Sequence, residues 1–207
     1  MLQTEVVEPG TLDILRHCMR LDCLKPFVLV GGTALALQYG HRTSEDLDFF
    51  GNVSELNEPE ITPALQTIVP SRLVNSSNVM LGYFMGTLKV DIVKYRYPFI
   101  RPVLDWDQIR LASPEDIAAM KLSAITGRGK KKDFTDLFFL LEHFSFEQLI
   151  EFFTQKYEDG SLYLVLRSVA YFEDADQDPD PVFLKNIGWK HIKSVIQEKL
   201  KNYLKKL

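Results

Sequence analysis

The sequence is poor in cysteine and histidine and has no apolar run long enough to cross a bilayer. Each shortage removes a class of function. Its two cysteines, Cys18 and Cys23, stand five residues apart in a stretch that reads as a helix, with no third cysteine to complete a metal set. That spacing excludes a zinc ribbon or a disulfide scaffold and leaves buried free thiols in a reducing cytoplasm as the expectation. His17, His41, His143 and His191 are scattered without ligand spacing, and no Ser/His/Asp or Cys/His pattern suggests covalent catalysis. The opening MLQTEVVEPG lacks a basic region and an apolar core, so neither a secretory leader nor a membrane span is expected. Internal repeats and low-complexity segments are missing too. A net charge of −4 does not advertise a nucleic-acid binder.

What is present is the composition of an ordinary soluble protein. The 207 residues are 46% hydrophobic and 25% charged, enough for one sizeable core or two small ones. Charge is unevenly spread. Glu173, Asp174, Asp176, Asp178 and Asp180 form an acidic stretch, whereas residues 185–207 hold seven lysines and one acid. Arg128-Gly129-Lys130-Lys131-Lys132 is a second basic spot. Such patches hold RNA phosphates or simply keep a helix face solvated.

The chemistry concentrates between Phe27 and Phe50. Phe27-Val28-Leu29-Val30 reads as a buried strand, Gly31-Gly32-Thr33 as a turn, and Ala34 to Tyr39 as the helix that follows. Glycines at such a turn let a ligand approach, and the first N–H groups of the helix carry partial positive charge, so the corner suits a phosphate. Asp46-Leu47-Asp48-Phe49-Phe50 reads as the next strand. Period two puts the two carboxylates on one face and turns Leu47 and Phe49 to the core. Paired carboxylates beside a phosphate-binding turn make a place for Mg²⁺ carrying a nucleoside triphosphate. Arg42 and Ser44 either orient those carboxylates, touch phosphate, or lie solvated in the loop.

Around this block, Thr11 to Leu24 has the spacing of an amphipathic helix, and Ile61 to Val69 reads as a short one. Ser71–Asn75, Val79–Met85 and Leu88–Tyr95 read as strands, the last two joined at Gly86-Thr87. Tyr97 to Leu111, interrupted by proline, reads as loop and edge strand. Ser113-Pro114-Glu115-Asp116 marks a strong helix start, and Lys132–Phe144, Phe146–Tyr157, Leu162–Phe172 and Trp189–Leu204 follow as helices. Glu173–Pro181 reads as a linker. The expected fold is α+β, a small mixed sheet flanked by helices over residues 1–111 and a helical region over residues 112–207.

A glycine turn, a helix and then Asp-x-Asp on the next strand resemble the signature of the DNA polymerase β-like nucleotidyltransferase superfamily. The resemblance implies a third carboxylate on a later strand of the same sheet. Asp91 matches that position, and it projects from the face opposite Val90 and Ile92. The later run KLSAITGRGKKKDFTDLFFLL narrows the likeness. With GGTALALQYGHRTSEDLDFF, it is similar to the AbiEii/AbiGii toxin family, the nucleotidyltransferase toxins of bacterial type IV toxin–antitoxin and abortive-infection systems. Lys121, Arg128, Lys132, Asp133 and Asp136 stand where that family carries a Lys, an Arg and a Lys-Asp-x-x-Asp group. Gly-Gly-Thr replaces Gly-Ser, with Thr33 in the hydroxyl position.

The family resemblance implies the following roles. Asp46, Asp48 and Asp91 hold one or two Mg²⁺ ions, or Mn²⁺ in their place. Gly31, Gly32 and Thr33, with the helix N-terminus, hold the β- and γ-phosphates. Lys121 and Arg128 neutralise triphosphate charge, with Lys132 beside them, while Asp133 and Asp136 orient those cations or contact the nucleotide. Asp at a helix start also serves as a dipole device. The implied reaction adds nucleotides to the 3′ end of tRNA in the cytoplasm, restrained by a cognate antitoxin. Transfer to a protein or small-molecule hydroxyl, and a non-catalytic nucleotide-binding module, are the alternatives.

Overall fold

The computed structural model describes residues 2–185 and 187–206. The chain divides at Ser113/Pro114 into two compact units. In the first unit a 3-10 turn at Thr4–Val6 leads to helix α1 (Pro9–Arg20), and a second turn at Asp22–Leu24 leads to strand β1 (Val28–Val30). Helix α2 (Gly31–Tyr39), strand β2 (Leu47–Gly51) and helix α3 (Glu58–Gln66) follow. Then come β3 (Ser71–Ser76), β4 (Met80–Met85), β5 (Leu88–Lys94), β6 (Leu104–Trp106) and β7 (Ile109–Leu111).

These strands form one sheet in the order β3-β4-β5-β2-β1-β7-β6. Strand β2 lies antiparallel to β1 and parallel to β5, so the sheet is mixed. The reason for this arrangement is visible in side-chain alternation. Leu47 and Phe49 on β2, with Val90 and Ile92 on β5, are fully buried, as is Leu29 of β1. Burial of side chains this size is worth roughly 1.5–3 kcal/mol each, and it locks the register because a slip of one residue would turn them outward.

Residues 104–111 correct the expectation of loop and edge strand. They form a hairpin whose inner strand, β7, lies parallel to β1, with Leu29 opposite Leu111. Only β6 is an edge on this side of the sheet. The two turn residues, Asp107 and Gln108, have φ values of 57° and 63°, the left-handed pair that suits the twist of a two-residue hairpin. Arg110 on β7 donates to the carbonyls of Met19 (2.9 Å), Leu24 (3.0 Å) and Phe27 (3.1 Å), tying the hairpin to the α1–β1 connection.

The second unit is helical: α4 (Pro114–Gly127), α5 (Lys131–Leu140), α6 (Phe146–Lys156), α7 (Leu162–Val169), α8 (Glu173–Asp176) and α9 (Trp189–Leu204). Helix α6 opens with a capping box, the Gln148 N–H donating to Ser145 Oγ (3.2 Å) and the Ser145 N–H to Gln148 Oε1 (2.8 Å). Lys156 at its end reaches Asp116 of α4 at 2.7 Å, both side chains fully buried.

The acidic stretch, expected as a linker, is also bonded to the helices on either side of it. Asp176, in α8, accepts from Trp189 Nε1 (2.6 Å) and Lys193 Nζ (2.7 Å). Asp178 accepts from the Lys131 backbone N–H (2.9 Å), and Asp180 from Lys131 Nζ (3.0 Å). These acids clamp the starts of α5 and α9, while Phe172 and Trp189 close over Phe134. The cysteines also differ slightly. Cys18 is buried, with burial pushing its thiol up to about 12, but Cys23 is only half-buried; the two are free thiols. Among the described residues no helix is long and apolar enough to cross a membrane.

Candidate active site

In the first unit the site grows from the end of β1. Val30 pairs with Asp48 across the antiparallel ladder, and the chain then turns through Gly31 into α2. Gly31 has φ +70°, which only glycine adopts without strain, and a Cβ there would lie 2.8 Å from Asp48 Oδ2. Gly31 thus makes room for a carboxylate. Gly32 and Thr33 lie in the first turn of α2, where backbone N–H groups have no partner within the helix.

Thr33 and Ser44 meet. The Thr33 hydroxyl donates to the Asp46 carbonyl, which leaves its oxygen to accept from Ser44 Oγ at 2.8 Å. Together they hold the residue that leads into β2, so Thr33 acts on Asp46 through the backbone. Arg42 is buried, and its guanidinium donates to the Thr43 carbonyl at 2.9 Å. Both Ser44 and Arg42 therefore shape the loop ahead of the acids.

Strand pairing decides where the third acid lies. Asp48 and Asp91 are direct partners on the parallel strands β2 and β5. Asp46 stands one residue before β2, near enough to Lys89 to add to the attraction on its ammonium. Asp91 is buried, its Oδ1 has no hydrogen-bond partner, and it faces Gly82, where a Cβ would come within 3.1 Å. Its Oδ2 is ion-paired with the Lys89 ammonium. Hydrogen bonding to Asp91 is the main reason the Lys89 pKa is raised, with further attraction from Asp91, Asp48 and Asp46. Lys89 carries no motif, and only its i, i+2 relation to Asp91 on a strand could have marked it. Among the described residues no three or more His, Cys, Asp or Glu side chains stand together so that they could hold a metal ion. The donor set is nevertheless all oxygen, includes one buried orphan, and has glycine on either side, which suits a hard dication completed by substrate phosphates.

The second unit gathers the other predicted residues. Lys121 Nζ bonds Asp133 Oδ1 (3.0 Å) and Asp136 Oδ2 (2.6 Å), the two acids lying one turn apart on α5. Arg128 grips Asp133 with two nitrogens, Nε to Oδ2 at 2.9 Å and Nη2 to Oδ1 at 3.1 Å. Asp133 and Asp136 are fully buried and Lys121 nearly so, whereas the Arg128 side chain is 52% exposed. Burial alone would raise the Asp133 pKa, but Lys121 and Arg128 outweigh it and hold the carboxyl below its ordinary range. Lys132 is half-buried beside them in the first turn of α5. Arg128 also borders a groove of about 560 Å³ that Arg167 and Tyr171 line from the other side. Nothing in the sequence pattern singled out Arg167.

Residues 13–204 match the family model described as nucleotidyl transferase AbiEii toxin, type IV toxin–antitoxin system. The chain belongs to the AbiEii toxin family. An uncharacterized protein of Aquifex aeolicus (strain VF5) is 32% identical over 201 residues, 93% of this chain and 95% of that one. MenT4, a nucleotidyltransferase toxin of Mycobacterium tuberculosis H37Rv, superposes with a TM-score of 0.59 at 14% identity, over 93% of this chain and 84% of its own. JHP933 from Helicobacter pylori gives 0.57 at 21% identity, over 100% and 96%. The AbiEii chain is thus a nucleotidyltransferase with the α+β fold of these enzymes. Membership in a type IV system implies a nucleoside triphosphate substrate and an antitoxin partner. Enzymes of this kind typically use a divalent metal.

Proposed function

We propose that this AbiEii-family enzyme transfers a nucleoside monophosphate from a triphosphate to the 3′ end of an RNA, with tRNA as the acceptor class. The observation that carries the reading is the ladder pairing of Asp48 with Asp91 beside the Gly31 corner. Asp46, Asp48 and Asp91 would hold Mg²⁺ or Mn²⁺. A dication bound by them polarises the α-phosphate and lowers the pKa of the attacking hydroxyl. The N–H groups opening α2 take up phosphate charge at Gly32 and Thr33. Thr33 and Ser44 keep Asp46 in line. The acceptor oxygen bonds to the α-phosphorus as the bond to the β-phosphate oxygen breaks, and pyrophosphate leaves. Asp91 would also assist deprotonation of the attacking hydroxyl. Rate acceleration then rests on positioning and charge stabilisation.

A polynucleotide acceptor is favoured over a drug-sized one by the groove of the helical unit. Arg167 and the half-exposed Arg128, which Asp133 fixes, offer guanidinium groups to phosphate, and Tyr171 offers a ring face to a base. A cognate antitoxin would restrain the activity.

The test is incubation with Mg²⁺, each labelled triphosphate, and total tRNA or protein extract, beside an Asp46→Ala/Asp48→Ala control. Label in RNA above the control is the expected result. Label in protein or a small hydroxyl compound would redirect the acceptor, and no label above the control would end the reading.

A further inference from the structure

Lys89 is ion-paired with one of the proposed metal ligands of the first unit, and no role in the reaction as described uses it. It shares a face of β5 with Asp91, two residues away. Asp48 is level with Asp91 across the parallel ladder, and Asp91, Asp48 and Asp46 all attract the Lys89 ammonium. Its ammonium holds Asp91 Oδ2, one of the oxygens a dication would need. The two partners differ in freedom. The Asp91 side chain is 10% exposed and fixed on a central strand, while the Lys89 side chain is 45% exposed and ends a flexible stem.

We infer that Lys89 is a tethered counter-ion. It occupies Asp91 Oδ2 when no metal is bound and must swing outward for a divalent cation to load. The inference rests on the metal reading above and deepens it. Asp48 and Asp91, paired on adjacent strands, repel each other, and the ammonium relieves that repulsion without a metal. An incoming dication has to break that ion pair, so Lys89 weakens uptake of the bare metal. The charge of a triphosphate offsets this, which favours arrival of metal and nucleotide together.

The test is Mn²⁺ binding to the full chain without nucleotide, read from the free-ion signal by electron paramagnetic resonance, for wild type, Lys89→Met, Lys89→Arg and Asp48→Asn. Removal of an ion pair of this kind predicts roughly 1.5- to fivefold tighter Mn²⁺ binding by Lys89→Met. Lys89→Arg keeps the charge and should stay near wild type. A second measurement covers loss of folding in the methionine variant. Without metal, Lys89→Met and the milder Lys89→Gln should melt below wild type, and Mn²⁺ should raise their Tm by more than it raises that of wild type.

A lysine with only a packing role would lower Tm and leave both the Mn²⁺ affinity and the Mn²⁺-induced rise unchanged, which would overturn the inference. Weaker Mn²⁺ binding by Lys89→Met would overturn it as well. If wild type binds Mn²⁺ and Asp48→Asn does not, the metal reading survives that failure. If neither wild type nor Lys89→Met takes up Mn²⁺, the metal reading and the counter-ion fall together.

Discussion

Substituting alanine for Gly31 tests the corner with one methyl group. The new Cβ would lie 2.8 Å from Asp48 Oδ2, well inside ordinary contact, so the carboxylate has to retreat by about half an ångström. The backbone adds a cost of its own, since φ is +70° and a left-handed alanine loses roughly 1–2 kcal/mol. For a chain of this size that corresponds to a fall in Tm of roughly 2–8 °C. The catalytic effect should be larger than the stability effect. Misplacing a reacting group by about 1 Å costs on the order of 10²-fold, so Gly31→Ala should lose roughly 10- to 100-fold in nucleotide incorporation while remaining folded. Gly10→Ala is the matched control. Gly10 lies in α1, where an added methyl would meet nothing within 4 Å, and the substitution should gain up to about 0.5 kcal/mol with unchanged activity. The assay is incorporation of labelled nucleotide, read beside a melting curve for each variant. A folded Gly31→Ala protein with activity within about twofold of wild type would refute the placement of Asp48 against this corner.

Three further outcomes follow from the second unit. Lys156→Met strands Asp116 in a fully buried position and should cost about 3–5 kcal/mol by urea unfolding, whereas Lys156→Met with Asp116→Leu should recover most of it. A double variant no better than the single would show that the pair is not energetically coupled. The Asp133 carboxyl titrates lower in the fold than in the unfolded chain, so its contribution is intact above the unfolded pKa and is lost as pH falls through the folded value. Below about pH 4 the Tm of Asp133→Asn should therefore fall less steeply than that of wild type. Equal slopes would contradict the Asp133 network. Arg167→Glu should weaken tRNA binding and lower the slope of log affinity against log salt by about 1, measured by fluorescence anisotropy. An unchanged slope would remove the groove from the acceptor path.

Features set by neighbours in the chain were legible from the residues alone. Ser113-Pro114-Glu115 announced α4, and Ser145 with Gln148 formed the box that starts α6. Alternation marked β2, β4 and β5 to within a residue or so, because facing is a local property of an extended chain. Local cues misled where tertiary bonds decide. Asp107-Gln108 is not a common turn pair, yet it takes the left-handed turn that places β7 beside β1. Acidic residues 173–180 read as a linker, and their bonds to Lys131, Trp189 and Lys193 are set by the fold.

What the sequence by itself determined is the chemistry on offer: a glycine turn, an Asp-x-Asp strand, and a Lys/Arg/Asp set on two successive helices. Those are facts of order and periodicity, and short-range backbone geometry enforces them. Only the tertiary structure decided that Asp91 sits level with Asp48, that Gly31 yields space to the Asp48 carboxylate, and that Lys89 holds a carboxylate of the same cluster. Strands β2 and β5 are far apart in the chain, and their register is set by burying Leu47, Phe49, Val90 and Ile92 together. That is a property of the packed sheet, which no single segment carries.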